Sequence, residues 1–137
     1  MPDMPHLRIS EAARLLGVSD DTVRRWVDVG RLEAVRAPNG RLTVEGRALA
    51  ALAQELAEGA DDGAGGRQSA RNRLRGIVTK VTKDTVMAQV EMQAGPFRVV
   101  SLISREAVDE LGLDVGTVAV ATVKATQVGV ELPGPRR

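Results

Sequence analysis

The stretch GIVTKVTKDTVMAQVEMQ, residues 76–93, decides how the second half of this 137-residue chain folds. In GIVTKVTK, Ile77, Thr79 and Val81 fall on one face and Val78 and Lys80 on the other. In TVMAQVEMQ, Val86, Ala88, Val90 and Met92 are apolar, while Gln89, Glu91 and Gln93 are polar. An alternation of period two is the mark of a half-buried strand. FRVVSLIS (97–104), TVAVATVKA (117–125) and VGVEL (128–132) have the same character, so about five strands are expected. SREAVDELGLDVG (104–116) breaks the alternation and reads as one short helix, with Ser104 as its cap and Gly112 as its stop. Five short strands with one helix suit a small Greek-key barrel of the OB type.

Working back along the chain, EGADDGAGGRQ (58–68) is rich in Gly, Ala and Asp, has no periodicity and reads as a flexible linker. Before it the period changes. Ser10 can cap a helix in SEAARLLG (10–17), closed by Gly17. Ser19 can cap a second in SDDTVRRWVDVG (19–30), with Asp20 and Asp21 in the first turn, where the helix dipole favours negative charge. Val23, Trp26 and Val27 form its apolar stripe and Gly30 its stop. LEAVRAPNGRLTV (32–44) places Pro38, Asn39 and Gly40 between two apolar runs, a hairpin signal. VEGRALAALAQELAE (44–58) reads as a third helix, with Leu49, Leu52 and Leu56 on one side. The fold class expected is therefore α+β. A helix-turn-helix with a hairpin wing over 1–57 joins a five-stranded OB-like barrel over 69–133, with linker 58–68 and tail 134–137.

Composition narrows the function. There is no Cys, and His6 is the single histidine, which removes thiolate chemistry, His-based metal clusters and His-based triads. No acid–base pair for catalysis is visible, so neither an enzyme nor a catalytic cofactor or metal is expected. The amino-terminal MPDMPHLRIS lacks the regions of a signal peptide, and no apolar run approaches a membrane span of roughly 20 residues, so a cytoplasmic protein without a membrane partner is expected. The net charge is +1, so any nucleic-acid binding must come from local placement of Arg. Trp26 and Phe97 are the only aromatic residues, which argues against stacking single-stranded bases on the barrel.

Two short helices with a tight Gly-containing turn match the DNA-binding helix-turn-helix. Its second helix would present Asp21, Thr22, Arg24 and Arg25 opposite the apolar stripe, and the wing adds Arg36 and Arg41. Arginine suits both guanine edges and phosphates. The run RISEAARLLGVSDDTVRRWVDVGRLEAVRAPNGRLTVEGRALAAL resembles the winged helix-turn-helix of the MerR and excisionase group over about residues 6–57. That resemblance implies that the helix around Thr22, Arg24 and Arg25 enters the major groove of double-stranded DNA, with Arg41 near the backbone, and that the module works as a dimer or array.

In the second half, Ser69, Arg71, Lys124 and Thr126 offer two hydroxyls and two cations, an inventory that suits a tetrahedral dianion; taken alone, an entry Arg and a strand-end Lys are usually surface groups, and that reading comes first. SARN (69–72), ISREAVDELGLDVG (103–116) and KATQV (124–128) resemble, in order and spacing, the Mop domain of molbindins, which also occurs in ModE-type molybdate regulators and some transporter ATPases. The resemblance covers about residues 68–133. It implies a molybdate or tungstate site in which Ser69 and Arg71, with backbone at Ala70 and Asn72, form one lip. Lys124, Ala125 and Thr126 form the other, usually contributed by a partner subunit, so a homo-oligomer is implied, a dimer or higher assembly with a hexamer included. Ala107 stands where the family often carries a serine. Together the halves read as a molybdate- or tungstate-responsive DNA-binding transcriptional regulator; an intracellular molybdate storage or buffering protein with a helical assembly domain is the alternative.

Overall fold

The computed structural model describes residues 5–57 and 70–134. They fall into two compact units, within residues 1–60 and 61–137. The stretch expected to be a linker, together with Ser69 and residues 135–137, lies outside the described residues.

The first unit runs β1 (His6–Arg8), α1 (Ile9–Leu16), α2 (Asp20–Asp28), β2 (Ala34–Arg36), β3 (Leu42–Glu45) and α3 (Gly46–Ala57). Helix α2 starts as its sequence requires: the Ser19 hydroxyl accepts the Thr22 amide at 3.1 Å, and Val23 is fully buried. Helix α1 starts differently. Ser10 does not cap it; Arg8 holds the cap position in extended conformation and makes no side-chain cap. The reason is a strand too short for periodicity to reveal. β1 pairs with β3 through His6↔Glu45, Leu7↔Val44 and Arg8↔Thr43, so tertiary pairing sets where the helix begins. The expected hairpin is thereby the β3–β2 part of a three-stranded antiparallel sheet, order β1-β3-β2.

The wing turn spans Ala37–Arg41, closed by the Ala37 amide on the Arg41 carbonyl at 2.8 Å. Only Gly40 takes a positive φ, 83°, so this is a longer loop rather than a two-residue Asn-Gly turn, with Asn39 Oδ1 accepting the Arg41 amide instead. Ile9, Ala12, Ala13, Val23, Leu32, Val44, Leu49 and Leu52 make one closed core, with Trp26 and Val27 against it. Each fully buried Val or Leu contributes about 1.5–3 kcal/mol relative to an exposed one. Leu56, expected on the Leu stripe, is exposed in the last turn.

The second unit runs β4 (Asn72–Lys83), β5 (Met87–Ala94), β6 (Phe97–Ser104), α4 (Arg105–Leu111) and β7 (Val118–Val123), then a 3-10 turn at Ala125–Gln127. Ser104 caps α4 through the Ala107 amide at 3.1 Å, and Gly112 closes it. The sheet is antiparallel, order β6-β5-β4-β7, and curls in the OB-like manner. The α+β class holds, with four strands rather than five among the described residues of this unit: Val128–Leu132 forms no strand. Its Val130 and Leu132 are 94% and 90% exposed, with nothing among the described residues covering them.

The period-two reading of β4 also needs a correction. The register passes from Val78↔Met92 to Lys80↔Glu91, so Thr79 is an extra residue in a bulge. One inserted residue reverses the parity of everything after it. Val78 before the bulge and Val81 after it therefore face the same core, with Ala88, Val90, Met92 and Val108, while Ile77 is exposed. Further back, β4 switches partner: Asn72–Ile77 pairs with β7 and Ile77–Lys83 with β5. Gly76 sits at the switch, where a Cβ would lie 2.4 Å from the Gln93 carbonyl oxygen. No side chain fits that approach.

Candidate functional site

The β4–β7 ladder ends at Asn72↔Val123. The Asn72 side-chain amide donates to the Val123 carbonyl at 3.1 Å and ties the two strand ends together. Arg71 and Lys124 therefore stand one residue beyond the last pair, on adjoining strands of one chain. Both are exposed, and among the described residues neither makes an ion pair. Ala70 is half-buried before Arg71. Lys124 is extended and leads into the 3-10 turn of Ala125 and Thr126, both exposed. The first amides of such a turn find no acceptor within it. The backbone thus places two exposed cations, a threonine hydroxyl and backbone amides at one end of the sheet, residue types that can donate to an anion. Ser69 lies outside the described residues. Ala107 is elsewhere, in the first turn of α4, which packs on β5 and β6.

Sequence reasoning missed the groove beside this corner. The curled sheet brings its two edge strands, β6 and β7, to one cavity of about 390 Å³. Val90 and Met92 of β5, Ile103 of β6, Leu113 and Ala121 are among its walls, and it reaches Val123, next to Lys124. An even spread of apolar residues along four strands carries no mark of which ones border an unfilled space.

In the first unit, α2 presents Asp21, Arg24 and Arg25 to solvent, opposite Val23, Trp26 and Val27. Thr22 is half-buried and shares a hydrogen bond of 2.9 Å with the Ser19 hydroxyl, so it serves the helix cap. Arg36 donates to the Gly40 carbonyl at 2.9 Å and braces the wing, whereas the Arg41 side chain is exposed at its base. Arg31 lies over the Trp26 ring, 5.7 Å from its centroid, and pairs with Glu55 at 3.6 Å, which joins α2 to α3. No helix among the described residues is long and apolar enough to cross a membrane.

Comparison with known proteins separates the same two units. The family model of the TOBE domain matches residues 68–130, and that of a helix-turn-helix domain matches residues 7–57. The chain is 43% identical over 61 residues to molybdenum-pterin-binding protein 3 of Clostridium pasteurianum, a match covering 44% of this chain and 90% of that protein. It is 46% identical over 66 residues to a probable molybdenum-pterin-binding protein of Haemophilus influenzae, covering 46% and 96%. Among solved structures, a molybdate-binding protein from Sporomusa ovata is 34% identical, with a TM-score of 0.48, over 49% of this chain and all of the other.

Proposed function

The chain belongs to the family of molybdenum-pterin-binding proteins through its second unit, and on that premise we propose that it is a molybdate- or tungstate-responsive DNA-binding transcriptional regulator. One observation supports the reading: the register of β4 on β7 puts Arg71 and Lys124 each one residue beyond the Asn72–Val123 pair, on a chain whose other unit matches a helix-turn-helix domain. The oxyanion is held by Arg71 and Lys124, by the hydroxyls of Ser69 and Thr126, and by backbone at Ala70, Asn72 and Ala125. Charge compensation by two cations and several convergent donors is what a tetrahedral dianion requires. Molybdate and tungstate are larger than sulfate, so donors at fixed separation discriminate by size.

A second copy completes the site. The open groove between β6 and β7 and the uncovered Val128, Val130 and Leu132 support this. Ligand bound between copies favours the assembled state, and assembly pairs the DNA-reading helices; coupling of this kind needs only a difference in affinity between the two arrangements. In the DNA complex, Arg24, Arg25 and Asp21 of α2 lie along the major groove, and the wing residues Arg36 and Arg41 meet the backbone.

Calorimetric titration of molybdate, tungstate and sulfate into the wild type and Lys124→Ala tests the ligand. The expected result is saturable binding of the two metal oxyanions by the wild type and at least a tenfold loss in the variant; equal weak heats throughout would overturn it. Sedimentation and duplex binding with and without molybdate test the response. The relatives named above match less than half of this chain, and oxyanion storage is the second reading. Storage predicts no sequence-specific gel shift, and none that Arg24→Ala with Arg25→Ala would remove.

A further inference from the structure

The first unit carries a cleft of about 260 Å³ that neither the α2 face nor the wing describes by itself. Arg8 and Ser10 come to it from the β1–α1 junction, Asp20 and Arg24 from α2, and Arg41 from the base of the wing. Resting on the DNA-binding reading above, we infer that this cleft seats one phosphate group of the DNA backbone, held by Arg8, Arg24 and Arg41 with the Ser10 hydroxyl.

Arg8, Arg24 and Arg41, from three separate elements, line one concavity in which Asp20 is the one acidic residue, and Arg8 is also paired with Glu11 outside it. Their mutual repulsion is relieved when an anion enters. Among the described residues Arg24 and Arg41 make no ion pair, and all three arginines are exposed to an approaching duplex. Arg8 donates its Nε to Glu11 at 3.2 Å, a contact that holds the exposed side chain beside the cleft. A guanidinium presents paired donors in the geometry of phosphate oxygens, and Ser10 adds a hydroxyl. The cavity is several times the roughly 30 Å³ share of one water, enough for a phosphodiester. The pairing Arg8↔Thr43 joins β1 to the wing strand, so the seat is preorganised by the sheet. Gripping the backbone here sets the register of α2 without reading sequence, and it assigns base contacts to Arg25 and Asp21 rather than to Arg24.

The test uses the full chain and two unrelated 25-base-pair duplexes, with binding followed by anisotropy from 50 to 200 mM salt. Arg8→Ala should weaken binding to both duplexes by a similar factor, roughly three- to tenfold, and lower the slope of log affinity against log salt by about 0.9. Arg8→Lys should restore most of the slope. Glu11→Gln, which breaks the same ion pair but keeps the cation, should leave the slope unchanged. Trp26 fluorescence checks that each variant folds. If the wild type binds but Arg8→Ala matches it in affinity and slope, the seat is overturned while the DNA reading stands. If Arg8→Ala weakens only one duplex, Arg8 reads bases and the seat is overturned. Arg8-dependent calorimetric binding of inorganic phosphate, with duplex affinity unaffected, would assign the cleft to a free anion and overturn the DNA-backbone assignment. A wild type that binds no duplex at 50 mM salt overturns both readings.

Discussion

The two units are of similar length but finish their cores differently. The first closes its core within one chain: three helices and a three-stranded sheet cover Val23, Val44 and Leu52 from every side. The second has four strands and a short helix around Val78, Val90 and Val108, an apolar groove open along both sheet edges, and an apolar tail in solvent. A helix can bury its stripe against any neighbour, whereas a curled sheet has edges that must meet something. The difference separates a unit whose core is closed within one chain from a unit whose curled sheet leaves an apolar groove at its edges.

Trp26 is the only tryptophan and lies in the first unit, so its fluorescence follows that unit, while far-ultraviolet circular dichroism follows both. The largest effect is expected for Leu52→Ala, which empties a buried position of the first core and should cost about 3 kcal/mol. Its denaturation midpoint by fluorescence should fall and the second-unit transition should stay; a shift of both would erase the contrast between the units. Gly76→Ala should cost about 2 kcal/mol in the second unit alone, because the new Cβ meets the Gln93 backbone oxygen and strand β4 must move. An unaltered circular-dichroism transition would mean that the strand crossing yields easily. Val130→Lys with Leu132→Lys should change the stability of the dilute chain by less than about 0.5 kcal/mol, since both positions are solvated. The same double variant should abolish concentration-dependent assembly in sedimentation experiments. Assembly that survives it would move the interface away from the tail.

The smallest effect expected concerns Asp84. Its carboxylate accepts the Met87 and Val86 amides, at 2.6 and 2.7 Å, and these bonds hold it below the usual carboxylate range, with nearby Arg105 adding to them. A carboxyl lowered in the folded state adds stability above its unfolded-state value and loses it as the pH falls through the folded value. Acid denaturation of the wild type should therefore show a small loss in that window, which Asp84→Asn flattens.

What could be read without coordinates shares one physical property: it is local. The Ser19 and Ser104 caps, the stripe Val23, Trp26 and Val27, and the apolar series Ala88, Val90 and Met92 depend on residues within a few positions of each other. Periodicity and capping report such contacts directly. SARN and KATQV could be named as motifs for the same reason, each being a short run of its own.

Tertiary structure decided what depends on pairing across distance. Strand β1 exists because β3 offers it an edge, and that pairing moved the start of α1 from Ser10 to Arg8. The bulge at Thr79 turned Val81 inward, a change of parity that no alternating pattern announces. Val128–Leu132 alternates like a strand and forms none, because a strand needs a partner as well as a propensity. Arg71 and Lys124, 53 residues apart, became neighbours through the register of β4 on β7. The convergence of Arg8, Arg24 and Arg41 likewise belongs to the fold alone. The sequence by itself determined which residues carry the charge, and the packing of strands determined where those charges meet.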